Sequence, residues 1–412
     1  MDQEVKAPHP TKTLEEGGEQ GYSVEPVTFT PRSGGPGECQ REYGTGGRKQ
    51  KRTGTLAVHK LSCDMESLGQ GMSLPSGRIE ETGRISLDGG VLDCKWRPRP
   101  LDGCAIIACA TSTGRLTMHS LCRSDVPQDP VVFQNLSASA GGGSLLLSLD
   151  WSKGAAAFGE AQVIISESDG SLSLWRCHPT QGSGGLIQER RWSAHTIGGS
   201  NGVPVEVWIA FFSHSTPSLV ISGADDGLMK GWDLRVGGGG HGAGCSGPSF
   251  VCRRHGMGVT SGEWHPSREH VFASGSYDEI IRLWDIRKPR DPLSELPTGG
   301  GLWRLRWHPS PAGLDRHGDL LLAACMHAGV KVVETGSALG GGGAGPGGGF
   351  SGACKAGAAS IVAEFDRHQS MAYGADWCHL EESAQSPQPL IASCSFYDNL
   401  LCLWQAPVLW DG

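Results

Sequence analysis

The 412-residue chain has no apolar run approaching the roughly 20 residues that span a bilayer as a helix, so a membrane partner is not expected. It has no CxxC pair among its 14 cysteines, and no secretory leader precedes them. Isolated cysteines of this kind are expected to be reduced thiols in a cytoplasmic protein, not a disulfide framework. Excess positive charge is also missing. The formal net charge is −8 and the pI about 6.0, which argues against a nucleic-acid backbone as the main partner. There is no GxSxG elbow, no HExxH helix and no His/Cys cluster at metal-ligand spacing, so neither a metal nor another cofactor is expected. Two Gly-rich stretches, 237–249 and 336–357, lack the following Lys-Ser or Lys-Thr pair of a phosphate-binding loop and read as flexible inserts.

What is present is a repeat. A Trp stands six residues after an Asp in four places: Asp169 and Trp175, Asp226 and Trp232, Asp278 and Trp284, Asp398 and Trp404. Such spacing places a tight turn at the Asp and, one strand later, a ring that packs between neighbouring sheets. Apolar runs ending in Trp or Phe precede the turns, among them VLDCKW (91–96), LLSLDW (146–151), LWRLRW (302–307) and AYGADW (372–377). β-Branched or Leu-rich runs such as QVIIS and LLLAAC follow them. The fold class expected is all-β, a WD-repeat β-propeller over 54–405 with six complete blades and an incomplete or atypical first blade, seven in all. Residues 1–53 are polar and rich in Gly and Pro and read as disordered; GRKQKR (47–52) is a basic run within them, and 406–412 forms a tail. A monomer is expected.

Position relative to the repeat singles out the candidate site residues. His195, His255 and His368 precede the inner strands of three blades whose turns carry Asp226, Asp278 and Asp398. This reads as a structural His–Asp relay that continues to Ser274 and Trp284 in the best-matched blade. One blade breaks the rule: in LLLAACMHAGVKV (320–332) His327 replaces the turn Asp, and Val333 replaces the Trp. A residue that departs from the repeat gains nothing from repeat packing, and an imidazole suits general-base work, although a turn histidine that merely caps a loop is the alternative. Aligning the inner strands on their terminal ring places Trp208, Trp303 and Tyr373 at one rim level, four residues earlier, with Arg304 beside them. Three aromatics from three blades suit a cation, above all a quaternary ammonium; ordinary packing is the alternative. Cys325 is a conceivable nucleophile but lies within a strand.

The runs SGADDGLMKGWDLR (222–235), HPSREHVFASGSYDEIIRLWDIR (265–287), WRLRWHP (303–309), LLLAACMHAGVKV and SCSFYDNLLCLW (393–404) resemble the WD-repeat family of the diphthamide pathway, over roughly 90–405. The resemblance implies a diphthine methyl ester hydrolase, also called diphthine methyltransferase, whose protein substrate is translation elongation factor 2. It implies removal of a methyl ester beside a trimethylammonium group. On that reading Trp208, Trp303 and Tyr373 hold the ammonium, His327 activates water and Arg304 stabilises the oxyanion, roles that rest on position and chemistry. A non-catalytic WD scaffold or substrate adaptor is the alternative. The family has a full first blade, whereas here only GTLAVHKL (54–61) reads as a strand of it, leaving ring closure open.

Overall fold

The computed structural model describes residues 53–62, 78–100, 104–122, 132–138, 143–153, 161–178, 185–198, 202–236, 247–309, 319–336, 338–339, 358–379 and 388–406, with the backbone of three short N-terminal strands. Most of 1–53, the basic run 47–52, most of both Gly-rich inserts and the tail beyond 406 lie outside them. The N-terminal strands are β1 (Glu4–Lys6), β2 (Lys12–Leu14) and β3 (Phe29–Thr30), followed by β4 (Thr53–Ser62) and β5 (Arg78–Leu87). Blade one comprises β6 (Val91–Trp96), β7 (Ala105–Thr111), β8 (Leu116–Cys122) and β9 (Val132–Ala138). Blade two is β10 (Leu146–Trp151), β11 (Ala161–Glu167), β12 (Ser171–His178) and β13 (Gly185–Ser193). A hairpin of β14 (Thr196–Ile197) and β15 (Val203–Pro204) leads into blade three: β16 (Ile209–Phe212), β17 (Leu219–Gly223), β18 (Met229–Asp233) and β19 (Phe250–Cys252). Blade four is β20 (Val259–Trp264), β21 (Val271–Ser276), β22 (Ile280–Asp285) and β23 (Ser294–Pro297). Blade five is β24 (Arg304–Trp307), β25 (Leu320–Ala324), β26 (Val330–Glu334) and β27 (Ser360–Phe365). Blade six has β28 (Ala372–Trp377), β29 (Leu390–Ser395) and β30 (Leu400–Gln405) and takes β1 as its fourth strand, antiparallel to β30.

Six blades are present, not the seven expected. The β4–β5 hairpin belongs to an irregular sheet in which β2 runs parallel to β4, so it is not the antiparallel meander of a blade. It packs on blade one through Leu56, Leu87, Val91 and Ile107. All described elements are strands, and among the described residues no helix is long and apolar enough to cross a membrane. The expectation of free thiols throughout needs one correction: Cys104, just ahead of β7, is disulfide-bonded.

The innermost strands lie side by side from β6 to β28, and in three blades the terminal indole staples the blade to the one before. The indole of Trp151 donates to the Lys95 carbonyl at 2.9 Å, that of Trp307 to Glu263 at 3.2 Å and that of Trp377 to Arg306 at 3.0 Å. Acidic and hydroxyl side chains repeat the device: Asp93, Ser148, Asp150, Ser261 and Glu263 each accept a backbone N–H from the next inner strand. Small residues allow the close approach that this stitching needs. A Cβ on Gly262 would run into the Phe211 ring of the neighbouring blade.

Within three blades the repeat residues form a buried relay. Trp232 donates to Ser222 at 2.8 Å, Ser222 meets His195 Nε2 at 2.8 Å, and His195 Nδ1 meets Asp226 at 2.9 Å. Trp284, Ser274 and His255 repeat the arrangement, as do Trp404, Ser393 and His368. The carboxylates differ. Asp278 and Asp398 cap the backbone N–H groups of Gly256 and Gln369 instead of meeting the imidazole. In blade five Ala323 and Val333 are packed where Ser and Trp stand in those three blades, and Thr298 Oγ1 lies 2.9 Å and 3.0 Å from the Glu279 and Gly300 carbonyl oxygens.

Candidate functional site

A recurring backbone irregularity builds the site. In β6, β10, β20 and β28 the pairing register shifts across Leu92, Leu147, Thr260 and Tyr373, the place four residues before the terminal ring. A bulge re-aims its side chain, and the matching residues in blades three and five, Trp208 and Trp303, stand immediately before their strands. The structure therefore brings Trp208, Trp303 and Tyr373 together. Their ring centroids are 6.1 Å apart for the two indoles and 5.0 Å for Trp303 and Tyr373. All three are half-buried.

The turns between second and third strands extend this row. Tyr277 lies 5.9 Å from Trp208, edge to face, and 6.3 Å from Trp303. Phe396 is 5.7 Å from Tyr373, and Tyr397 is 4.8 Å from Phe396. Six rings from four blades thus form one continuous wall. Sequence reasoning missed Tyr277, Phe396 and Tyr397. The signal available was the place just before the turn Asp, occupied by Asp225, Tyr277 and Tyr397 in three blades.

Polar groups at the wall are few. The Trp208 indole donates to Asp225 at 3.1 Å, and the Tyr373 hydroxyl meets Met371 Sδ at 3.2 Å. Burial, followed by the charges of Tyr373 and Asp225, pushes the Tyr277 phenol above its ordinary range. Burial raises Tyr373 as well, so both stay neutral phenols with intact π faces. Met326 closes the floor beside Gly301 and Tyr277.

The remaining candidates are placed differently. His327 is exposed on its turn, and among the described residues no hydrogen bond or ring contact ties it to the wall. Its turn is off-pattern in backbone as well as sequence. Left-handed φ values fall at Met326 (47°) and Gly329 (72°), whereas blades three, four and six have theirs at the residue after the Asp: Gly227, Glu279 and Asn399. A side-chain-bearing residue in that region costs about 1–2 kcal/mol, at Met326 as at Glu279 and Asn399 in the regular turns. Arg304 is not at the mouth: it is 7% exposed, and its guanidinium lies 3.1 Å from Asp93, itself 1% exposed. Cys325 is fully buried, and burial pushes its thiol up to about 12, which leaves no thiolate for attack near neutral pH. At the channel's other end Glu263, beside Arg306, is pushed up to about 7 by burial. Among the described residues no group of three or more His, Cys, Asp or Glu could hold a metal ion.

Residues 247–285 match the WD domain, G-beta repeat family model. The chain is a β-propeller that carries a WD repeat. A chain in the crystal structure of a mitotic checkpoint complex superimposes with a TM-score of 0.53 over 86% of both chains at 13% identity, a likeness of fold alone. Diphthine methyltransferase of Homo sapiens is 36% identical over 317 residues, covering 75% of this chain and 60% of its own length. The Mus musculus protein of that name is 34% identical over 73% of this chain and 55% of its own length. A Dictyostelium discoideum diphthine methyltransferase homolog is 29% identical over 79% of each. The propeller thus spans somewhat more than half the length of the two mammalian relatives.

Proposed function

We propose that this propeller acts in diphthamide biosynthesis and hydrolyses the methyl ester of methylated diphthine on translation elongation factor 2, leaving the free carboxylate. Relatives named diphthine methyltransferase give the pathway; the observation that carries the reading is the six-ring wall. An aromatic surface of this kind suits a trimethylammonium group, which has no N–H to donate to a hydrogen bond. Exposed apolar side chains surround the wall on the same rim. Val203 on the β14–β15 hairpin (71% exposed), Met257, Met371 and Tyr397 (68%) offer a protein factor a place to rest.

In this reading water attacks the ester carbonyl while the His327 imidazole takes its proton. The tetrahedral intermediate then expels methoxide, which leaves as methanol with the proton returned by the imidazolium. Arg304 serves as a positioning residue, paired with Asp93 at the start of the strand that follows Trp303. The burial of Arg304 and Cys325 favours a second reading, in which the same face only binds the factor as a scaffold.

One assay separates the two. The purified chain is incubated with factor bearing methylated diphthine, and the modified peptide is followed by mass for conversion of ester to acid. We expect conversion, with His327→Ala slowing it by about 10²-fold or more, as loss of a general base does. Trp303→Ala is expected to weaken substrate binding. No conversion by the wild-type chain would establish the scaffold, and unchanged rates in both folded variants would remove these assignments.

A further inference from the structure

The wall is not uniform along its length. At the blade-three end, Trp208, Tyr277 and the carboxylate of Asp225 converge. The Trp208 Nε1–H donates to Asp225 Oδ1 at 3.1 Å, and the Tyr277 ring stands edge to face with the indole at 5.9 Å. Gly258 completes the corner: a Cβ there would fall against both Asp225 Oδ1 and the Tyr277 ring, so only glycine leaves the carboxylate this close to the phenol.

Asp225 is exposed, and among the described residues no Lys, Arg or His pairs with it. Its neighbour in sequence makes the contrast plain. Asp226 is held by His195 at 2.9 Å, with Lys230 at 4.0 Å. Asp278, on the same rim, is matched by Arg282 at 2.7 Å, and at the far ends of their strands Asp233 is matched by Arg235 and Asp285 by Arg287. An unmatched carboxylate set against two ring systems is a place for a cation from outside the chain. One carboxylate among rings offers a strongly hydrated ammonium few hydrogen-bond acceptors, which favours an alkylated one.

We infer that Asp225, Trp208 and Tyr277 form the cation subsite of the wall, with Asp225 as counter-charge, and that it selects a quaternary ammonium over a neutral group of the same shape. This deepens the proposed function and rests on it only for the identity of the natural ligand. It also orients that ligand: the cation lies at the blade-three end, and the rest of the molecule runs over Trp303 toward Tyr373.

The test uses choline and its neutral isostere 3,3-dimethyl-1-butanol, titrated into the full chain and followed by tryptophan fluorescence and ligand-observed NMR. Choline is expected to bind more tightly than the alcohol. Asp225→Asn is expected to lower choline affinity by roughly three- to tenfold, without changing that of the alcohol, as removal of one part-exposed charge near a cation does. Tyr277→Leu is expected to weaken both ligands, and a folded spectrum in each variant keeps the comparison valid. Equal affinities for the two ligands, no choline binding by the wild-type chain, or unchanged choline affinity in Asp225→Asn would each overturn the inference. If choline binding follows expectation while the methyl ester is left intact, the cation subsite stands and the esterase reading falls.

Discussion

Replacing Arg304 tests what holds the ring together. Asp93 in β6 and Arg304 in β24 pair at 3.1 Å and are both buried, and Asp93 also accepts the Leu149 N–H of β10 at 2.9 Å. The pair joins blade five to blade one. Arg304→Met leaves a buried anion with one backbone donor, and breaking a buried pair in this way costs about 3–5 kcal/mol. That is a large share of the roughly 5–15 kcal/mol by which a domain is stable. Adding Asp93→Asn removes the uncompensated charge while keeping an oxygen for Leu149. The double variant is expected to recover about 2 kcal/mol or more of the loss, because replacing a buried pair is far less costly than halving it. Urea unfolding at equilibrium reads both, the midpoint moving while the slope stays constant. A loss under about 1 kcal/mol for Arg304→Met, or no recovery in the double variant, would refute the argument, since either result means the pair is not desolvated as its burial implies.

Acidification is expected to destabilise the ring. Burial pushes His255 and His368 down to about 4, so between their unfolded value near 6.5 and pH 4 the unfolded chain binds more protons, and stability falls with pH by up to roughly 2–3 kcal/mol per histidine. Glu263 works in the opposite sense: with its folded value raised to about 7, the folded state takes up a proton first as pH drops from 7 toward its unfolded value, which offsets part of the loss. Urea midpoints at pH 7.5 and 5.0 should therefore fall for the wild type and fall less for His255→Gln; identical slopes would contradict this. Gly300→Ala should destabilise the protein and displace the His327 turn together, because the added Cβ would sit within contact of the Cys325 carbonyl oxygen and close to Ala328. Limited proteolysis at that turn and the urea midpoint should change in parallel.

The Trp–Ser–His relay was legible because its residues recur at fixed spacing, and recurrence in sequence becomes recurrence around an axis once each blade is an antiparallel meander; the expected His–Asp link forms in blade three but not with Asp278 or Asp398. The row of Trp208, Trp303 and Tyr373 was legible for the same reason: an alignment on the terminal ring carries the bulge position with it. Tyr277, Phe396, Tyr397 and Asp225 were not, because their turns vary in residue type, and Tyr277 meets the row only across blade boundaries. Seven blades were expected from a strand at 54–61, yet that strand pairs in a sheet with a parallel edge, and strand propensity does not choose a partner.

Arg304 is the instructive case. Its place beside Trp303 suggested a rim residue, but successive side chains of a strand point to opposite faces. If the neighbour faces the mouth, the arginine must face inward, where a guanidinium persists only against a carboxylate; Asp93 supplies it. The same alternation leaves His327, on a turn and not a strand, as the titratable candidate with access to solvent. On the proposed reading, chemistry at this rim stands or falls with His327, while binding would be shared among rings from four blades. A His327→Ala chain that still binds choline like the wild type but no longer converts the ester would place the two functions on separate residues. Loss of both together would mean that the turn shapes the wall instead of acting on the substrate.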